Sequence, residues 1–366
     1  MKVLLLSAYD ASSHAYWREG LVAQFPKFDW TVLTLPARHF AWRSRGNSLT
    51  WAYGERAVLE AGYDLLITTS MTDLSALRGL VPALTKIPTL VYFHENQFAY
   101  PVSGNEYGGA ANVEPKILNL YTALAGDYVV FNSEFNRTTF LRGVSQLLKK
   151  LPDHVPENVV DLLTTKSAVL SVPLTNTMFS EPSSVDGPLQ IVWNHRWEFD
   201  KGPELLYDAL KQLSKTSADF IMHVVGQRFR KCPAIFDDIK REFSSYIGCW
   251  GFVESADAYR KLLRQSDVVL STALHDYQGI AVLEGVASGC VPVVPDRLAY
   301  PELFDEQYRY AAGKSRTEAN ALAQRLAELS RIKREDATQM PVAPDINDLK
   351  WSAQRGRYLD IFNKVL

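Results

Sequence analysis

The chain has 366 residues, of which 47% are hydrophobic and 22% are charged, and its formal net charge is −2. This composition is typical of a globular protein, and the length favours two domains with separate cores. The charge excludes a uniformly basic nucleic-acid coat, although it does not exclude a local basic patch.

The sequence shows no targeting or membrane signal. The apolar run near the N-terminus spans four residues, which is too short for the core of a signal peptide. No apolar run approaches the roughly 18 residues of a membrane span. Three scattered cysteines, Cys232, Cys249 and Cys290, have neither metal-ligand spacing nor an even disulfide framework. We therefore expect a cytoplasmic protein with reduced thiols and no membrane partner.

Strands and helices alternate in the first half of the chain, which predicts an α/β fold with a parallel, doubly wound sheet. A loop is expected over residues 7–14, leading into a helix over residues 16–25. The predicted strands cover residues 3–6, 30–35, 65–68, 89–93 and 128–131. In such sheets, ligands collect at the carboxyl ends of the strands.

Polar side chains follow three of these strands and are the first candidates for ligand contacts. They are Ser12, Ser13, His14, His94, Glu95, Asn96, Gln97, Asn132 and Ser133. The run from His94 to Gln97 directly follows a buried apolar strand, which favours a functional role; a structural histidine is the alternative. For Asn132 and Ser133, the alternative is capping of the helix that follows.

Residues 36–48 interleave basic and aromatic side chains. The set consists of Arg38, His39, Phe40, Trp42, Arg43 and Arg45. Guanidinium groups beside aromatic rings suit phosphate contacts and base stacking in single-stranded or loop RNA. We expect an irregular loop here, because the segment starts with a proline and lacks helical spacing. The alternative is a solvated loop whose aromatic side chains cover the core.

A linker rich in proline, serine and glycine ends the first half of the chain near residues 175–187. A strand is predicted over residues 189–193, and the loop after it carries Arg196 and Lys201 before Pro203 opens a helix. Two cations beside a helix start suit a diphosphate. A surface charge pair is the alternative.

Residues 268–301 predict a strand, a loop, a helix and a second strand. The helix begins near Ile280, directly after Gly279, so first-turn N–H groups and the helix dipole face any anion bound there. Glu284 lies one turn into the helix, and Asp276 lies eight residues before Glu284. Both carboxylates are expected at one nucleotide-sugar pocket. The alternative is an ordinary βαβ unit with two solvated acids.

Two further segments of the second half are expected near the donor. Gly226 ends a strand predicted over residues 220–225, and a glycine lets the backbone approach a ligand. Residues 249–253, which include Gly251, Phe252 and Val253, are expected to line a base pocket. The last helix, over residues 351–366, either caps the sheet or crosses back to the first domain.

The cation pair and the two acids resemble the retaining GT-B glycosyltransferases of the glycogen-synthase-like group. A second set of motifs is similar to the tRNA-queuosine α-mannosyltransferase family and runs through nearly the whole chain. It consists of Pro36-Ala37-Arg38, Trp42-Arg43, residues 92–97, Tyr100-Pro101, residues 131–136, Pro152-Asp153-His154, residues 194–198, residues 270–273, His275 and Tyr300-Pro301-Glu302.

This resemblance implies a GT-B fold, in which two Rossmann-like domains face each other across a cleft. An acceptor (tRNA) domain would cover residues 1–175, a nucleotide-sugar donor domain residues 187–345, and a C-terminal helix residues 346–366. The implied reaction transfers mannose from GDP-mannose, with retention, to the cyclopentenediol of queuosine at the wobble position of tRNA-Asp. No metal or other cofactor is expected, because the chain lacks the Asp-x-Asp triplet of metal-dependent glycosyltransferases.

Carried onto matching positions, the resemblance implies three groups of site residues. The catalytic residues would be His94, Arg196, Lys201 and Asp276. The donor-binding residues would be Gly226, Gly251, Phe252, Val253, Gly279, Ile280, Ala281 and Glu284. The acceptor or tRNA contacts would be Ser13, His14, Arg38, Trp42, Arg43, Arg45, Glu95, Asn96, Gln97, Asn132 and Ser133.

Two other functions are kept as alternatives. The first is a GT-B glycosyltransferase for a polysaccharide or lipid-linked acceptor, an activity that usually comes with a basic amphipathic helix for the membrane face. The basic residues at 38–45 are not expected to form such a helix. The second is a non-catalytic tRNA-binding or nucleotide-sugar-sensing module, which need not retain both the diphosphate-binding and the acceptor-binding groups.

Overall fold

The computed structural model describes residues 1–100, 113–150, 154–183, 185–230 and 232–366. Pro101, Pro152, Asp153 and Ser184, which belong to the family motifs or to the predicted linker, lie outside these residues. The chain divides into two compact units. The first comprises Met1–Pro173 and Trp351–Leu366, and the second comprises Leu174–Lys350.

The first unit is built on a parallel six-stranded sheet with the order β2-β1-β3-β4-β5-β6. Two of its central strands are mostly apolar and are buried along their whole length, as parallel sheets covered on both faces require. The strands are β1 Lys2–Asp10, β2 Asp29–Pro36, β3 Leu65–Thr69, β4 Thr89–Phe93, β5 Tyr128–Phe131 and β6 Ser167–Val169. The helices are α1 Ser12–Gln24, α2 Phe40–Gly54, α3 Arg56–Leu59, α4 Leu74–Leu80, α5 Val113–Ala125, α6 Glu134–Lys150 and α7 Val159–Thr165.

The second unit repeats this plan with a parallel sheet of order β12-β11-β10-β7-β8-β9. Separate apolar clusters pack on its two faces. The strands are β7 Leu189–Trp193, β8 Phe220–Val225, β9 Ile247–Gly251, β10 Val268–Leu270, β11 Val291–Pro295 and β12 Arg309–Tyr310. The helices are α8 Pro203–Leu213, α9 Ile235–Glu242, α10 Ala256–Arg264, α11 Ile280–Ala287, α12 Tyr300–Leu303 and α13 Ser315–Asp336.

A last helix, α14 Trp351–Val365, belongs to the first unit. Trp17 of α1 donates from its indole Nε1 to the hydroxyl of Tyr358 at 3.0 Å. The ring of Trp351 lies directly over Gly20, where a Cβ would come within 2.5 Å of the indole. The helix therefore packs closely on α1 and contributes buried aromatic side chains to the first unit.

Several predicted elements agree with the structure residue for residue, including the strands at 89–93, 128–131, 189–193 and 220–225. The helix start at Ile280 is also confirmed. The loop predicted over residues 7–14 is wrong, because β1 extends to Asp10 and α1 begins at Ser12. The short strand β6 was not predicted, since its three residues are only partly buried and form no apolar run.

The loop predicted over residues 36–48 is also wrong, because α2 begins at Phe40. The buried face of this helix is mostly small and polar, so the sequence lacks the apolar stripe by which helices are recognised. That face consists of Arg43, Ser44, Gly46, Asn47, Ser48, Trp51 and Ala52. Asn47 provides hydrogen bonds on this face by donating from Nδ2 to the backbone oxygens of residues 43, 44 and 71.

Within the described ranges, no helix combines the length and the apolar character that crossing a membrane requires.

Candidate active site

The strand order of the second sheet reverses between β7 and β10, and ligands of doubly wound sheets bind at such a reversal. The loops after these two strands are tied together by Thr272, whose hydroxyl donates to the backbone oxygen of Lys201 at 2.7 Å and accepts from Trp193 Nε1 at 2.9 Å. Gly202, with φ 64°, lies so close that a Cβ would come within 2.1 Å of the Thr272 carbonyl oxygen. The predicted donor residues therefore share one sheet edge.

Lys201 lies at the centre of this edge and is 8% exposed. Its Nζ donates to the carbonyl oxygen of His275 at 2.8 Å. The same atom lies 3.4 Å from the carboxylates of both Asp200 and Asp276. A buried ammonium needs such partners to offset its desolvation. Because two carboxylates face one ammonium, Lys201 has no surplus positive charge for a diphosphate.

Asp276 connects Lys201 to the start of α11. Burial would raise the pKa of its carboxyl, but Lys201, the two neighbouring histidines and the N–H of Gly279 together lower it. Its Oδ1 accepts from the backbone N of Gly279 at 2.9 Å. The N–H predicted to bind phosphate at Gly279 is therefore occupied by the protein itself. Ile280 and Ala281 retain first-turn N–H groups, which an α-helix leaves without intrahelical acceptors.

Two buried histidines, His195 and His275, lie beside this charge cluster. Burial and the charge of Lys201 lower the pKa of each to about 4. Both imidazoles are therefore neutral at pH 7 and add no positive charge. Arg196 also contributes to the lowered pKa of His275, so its charge acts on the same cluster.

Arg196 is the exposed cation of the site, with 45% of its side chain accessible. Its Nη1 lies 3.0 Å from the carboxylate of Glu198, which is the surface charge pair that the sequence left open as an alternative. An exposed ion pair contributes little stability, so an incoming diphosphate can replace Glu198 at small cost. The predicted pair thus divides into a buried, balanced Lys201 and an accessible Arg196.

Glu284 is held by a chain of hydrogen bonds. Asn194 donates from Nδ2 to the backbone oxygen of Ala281 at 2.7 Å and to the hydroxyl of Tyr259 at 2.9 Å. Since that hydroxyl accepts from Asn194, its own proton is directed at Glu284, whose Oε2 lies 2.9 Å away. Burial raises the pKa of Glu284 to about 7, and the Tyr259 bond opposes the rise. The carboxylate is therefore oriented, and it titrates near neutrality.

The predicted glycines join the ends of β8 and β9. The backbone N of Gly226 donates to the oxygen of Gly251 at 3.1 Å. A Cβ at Gly226, where φ is 149°, would lie 1.9 Å from the carbonyl oxygen of His195, so glycine is required. Phe252 is exposed, and Val253 is partly buried against the core. The base pocket expected here stays a prediction.

In the first unit, His94 lies in an aromatic cluster after β4. Its ring centroid is 4.3 Å from that of His14, 4.7 Å from that of Tyr92 and 4.9 Å from that of Trp17. Burial, with a smaller contribution from His14, lowers the pKa of His94 well below its usual range. His94 is therefore a neutral, rigidly packed imidazole whose Nε2 is buried without a hydrogen-bond partner among the described residues.

The other polar residues predicted at this sheet edge hold the local backbone. Asn96 donates to the backbone oxygen and to the side-chain oxygen of Asn136, at 3.1 and 2.8 Å. Asn132 donates to the oxygen of His94 at 2.9 Å, and Ser133 Oγ accepts from the backbone N of Asn136 at 3.0 Å. Ser133 therefore caps the helix that follows, which was the alternative to a ligand contact. Four predicted residues keep more exposure, namely Ser12, Ser13, Glu95 and Gln97.

The basic and aromatic residues predicted to contact RNA from one loop differ from one another in the structure. Arg38 and Trp42 are exposed. Arg45 forms ion pairs with Asp73 at 3.0 Å and Glu114 at 3.1 Å. Arg43 is buried in the first turns of α2. The four positions therefore do not form a uniform basic patch.

Among the described residues, no group of three or more His, Cys, Asp or Glu side chains is arranged to hold a metal ion. The expectation of a metal-independent enzyme is not tested by this observation and stays a prediction.

The sequence of residues 2–174 matches the family model described as "tRNA-queuosine alpha-mannosyltransferase N-terminal", and residues 175–340 match "Glycosyl transferases group 1". A tRNA-queuosine alpha-mannosyltransferase of Drosophila melanogaster is 31% identical over 375 residues, covering 99% of this chain and 96% of the relative. The chain belongs to the tRNA-queuosine α-mannosyltransferase family. It is accordingly a glycosyltransferase.

Solved structures similar to the chain support the fold of this family. Sucrose-phosphate synthase of Thermosynechococcus elongatus aligns with a TM-score of 0.70 at 12% identity, over 100% of this chain and 99% of the other. Anabaena HepE in complex with UDP and glucose aligns with a TM-score of 0.64 at 13% identity, over 100% of both chains. The chain thus has the GT-B glycosyltransferase fold. At these identities the likeness does not extend to substrates.

Sequence reasoning missed Tyr259 and did not recognise the role of Asn194 in orienting it. Asn194 stands directly after β7, at the position where ligand-facing residues are expected, so its location was a usable signal. Tyr259 lies in α10 on another segment of the chain, and no local pattern connects it to Glu284.

Proposed function

We propose that the protein transfers mannose from GDP-mannose to the cyclopentenediol of queuosine at the wobble position of tRNA-Asp, with retention of the anomeric configuration. The observation that carries this proposal is the match to the Drosophila tRNA-queuosine alpha-mannosyltransferase over 99% of the chain. The proposed acceptor is a tRNA, so we propose a cytoplasmic site of action.

In the proposed donor complex, the diphosphate lies between Arg196 and the first turn of α11. Arg196 would exchange its exposed pair with Glu198 for a diphosphate oxygen, and the N–H groups of Ile280 and Ala281 would donate to the same group. Glu284 would accept hydrogen bonds from the ribose hydroxyls. Asp276, which is engaged with Lys201 at 3.4 Å, would act chiefly by keeping that ammonium in place near the leaving group.

The proposed reaction is a front-face displacement. The bond between the anomeric carbon and the diphosphate breaks while a bond to the queuosine hydroxyl forms on the same face. The hydroxyl proton passes to an oxygen of the departing diphosphate, so no protein base is required. Arg196 and the first-turn N–H groups of α11 would stabilise the charge that develops on the leaving group. His94 is neutral and is proposed to contact the sugar or the acceptor by hydrogen bonding.

The decisive experiment incubates the protein with GDP-mannose and tRNA that contains queuosine, followed by nucleoside mass spectrometry. A hexose added to queuosine is the expected product, and its anomeric configuration by NMR tests retention. Parallel reactions with other nucleotide sugars test the choice of donor, and tRNA-Asp is compared with other queuosine-containing tRNAs. Active protein that leaves queuosine unmodified would contradict the proposal.

A second candidate is a glycosyltransferase for a lipid-linked acceptor, and α2 is the observation that favours it. Residues 40–54 form a helix with exposed aromatic side chains at Phe40, Trp42 and Tyr53, so the absence of helical spacing no longer argues against a membrane-facing helix. Sugar transfer to lipid-linked acceptors instead of tRNA would favour this function. Binding of tRNA without any sugar transfer would favour a non-catalytic module.

A further inference from the structure

The N-terminus of α2, in the first unit, receives no capping hydrogen bond from its own N-cap side chain. His39 at the N-cap position has a left-handed backbone, with φ 55° and ψ 55°, and its side chain makes no capping hydrogen bond. The first turn of the helix contains no acidic residue. The first-turn N–H groups and the positive end of the helix dipole are thus not matched by a cap or an acidic side chain of the helix itself.

Arg43 adds a positive side chain at the same end of the helix. It lies one turn into α2, and helical side chains lean toward the helix N-terminus. The residue is only 9% exposed, and its Nε is buried without a hydrogen-bond partner in the described part of the chain. No carboxylate of the described residues forms an ion pair with it.

The nearby carboxylates are used elsewhere. Arg45, two residues further along α2, takes both Asp73 and Glu114 as partners and still has 54% of its side chain exposed. The more accessible of the two arginines is therefore the paired one. A buried guanidinium nitrogen without an acceptor is unfavourable, and a left-handed non-glycine residue such as His39 adds a further local cost. Both features are expected where a site is completed by a ligand.

We propose that the N-terminus of α2 and Arg43 form a binding site for a phosphate group, and that its occupant is a backbone phosphodiester of the acceptor RNA. The N–H groups of Phe40 and Ala41 and the guanidinium would donate to the phosphate oxygens. RNA is favoured over a free nucleotide because the rings of Phe40 and Trp42, in the first turn of the same helix, are 38% and 55% accessible and suit base stacking. The choice of RNA rests on the proposed function.

Filter binding of a queuosine-containing anticodon stem-loop over a range of KCl concentrations tests the site. Arg43→Met should weaken binding roughly tenfold or more and reduce the slope of log K against log salt by about 1. Arg43→Lys keeps the charge, so the slope should be retained while affinity falls. Arg56→Met is the matched control, because it removes an arginine of the same unit that is already paired with Glu60 at 2.8 Å; it should change neither quantity.

Inorganic phosphate separates the possible occupants. At constant ionic strength it should raise the Tm of the wild type by more than that of Arg43→Met, because the variant keeps only the proposed diphosphate site at Arg196 and a ligand stabilises only the form that binds it. Equal salt slopes for the wild type and Arg43→Met would overturn the assignment to RNA, even if phosphate stabilisation depends on Arg43. If neither the salt slope nor the phosphate stabilisation depends on Arg43, the site itself is overturned.

The same measurements distinguish failure of this inference from failure of the proposed function. A wild type that modifies no queuosine but shows Arg43-dependent phosphate stabilisation and salt slope would keep the site and overturn the proposed reaction. A wild type that modifies queuosine, with neither the salt slope nor the phosphate stabilisation depending on Arg43, would overturn the site alone. Arg43→Met is expected to fold, because it removes a buried nitrogen that has no partner among the described residues; Arg43→Lys provides a second variant that retains the charge.

Discussion

The hydrogen-bond chain from Asn194 through Tyr259 to Glu284 should make donor binding depend on pH. The pKa of Glu284 is about 7, because burial raises it and the Tyr259 hydroxyl opposes the rise. An ionised carboxylate is a pure acceptor, whereas its protonated form has less accepting capacity for ribose hydroxyls. The KM for the donor should therefore be low above about pH 7 and rise as the pH falls through it. Tyr259→Phe removes the opposing hydroxyl.

The size of the effect follows from that hydrogen bond, whose oxygen atoms are 2.9 Å apart. A hydrogen bond to a charged group contributes roughly 1.5–3 kcal/mol, and one pKa unit corresponds to about 1.36 kcal/mol. Tyr259→Phe should therefore raise the pKa of Glu284 by about one or more. If only the ionised form binds the donor, the KM at pH 7 rises roughly fivefold in the variant, and the two enzymes converge above about pH 9.

The assay measures initial rates at saturating acceptor tRNA, with the donor varied at each pH from about 6 to about 9. Because Tyr259 orients Glu284 and is not expected to contact the reacting atoms, kcat should change little while KM changes. Glu284→Gln is the control: it removes the titrating group, so its KM should be high and independent of pH. A wild-type KM that is constant from about pH 6 to about pH 8 would refute the reasoning. A Tyr259→Phe variant with reduced kcat and unchanged KM would also refute it.

Three further variants test the charges of the site. Arg196→Ala should lower the single-turnover rate by roughly a hundredfold or more, as loss of one donor to a developing anion does; a near-normal rate would contradict its assignment. Lys201→Met should lower the free energy of unfolding, measured with denaturant, by about 3–5 kcal/mol, because two buried aspartates lose their partner. Glu284→Gln should be more stable than the wild type at about pH 8, because the raised pKa lets the folded state hold the proton and costs stability as the pH rises from 4.5 through about 7. Equal denaturation midpoints at that pH would argue against a raised pKa.

Four strands of the second sheet could be predicted because they are mostly apolar, whereas β9 and β12 were not predicted. β7 and β8 match the predicted ranges, and the helix start at Ile280 follows from the glycine before it. That the loops after β7 and β10 form the ligand-binding edge then follows from parallel topology alone. What the sequence could not supply is the state of each side chain there. Asp200, which takes part in balancing Lys201, has no local feature that marks it as a partner.

The first unit was harder to predict because the buried face of α2 lacks the apolar stripe by which helices are recognised. Arg43 and Arg45 look equivalent in the sequence, yet residues two positions apart on an α-helix point in widely different directions. One is buried, and the other reaches Asp73 and Glu114, partners that lie 28 and 69 positions along the chain. Such partners depend on tertiary contacts, so no local pattern separates a paired arginine from an unpaired one.

The chain leaves the first unit at Pro173 and returns at Trp351, so the entire second unit is inserted within the first. The two crossings are adjacent, since the backbone N of Leu174 donates to the oxygen of Leu349 at 2.8 Å. During synthesis, the second unit is therefore complete in sequence before the first one is. Until α14 emerges from the ribosome, the face of α1 that carries Trp17 lacks its covering helix. The half of the protein made first should thus be the last to finish folding.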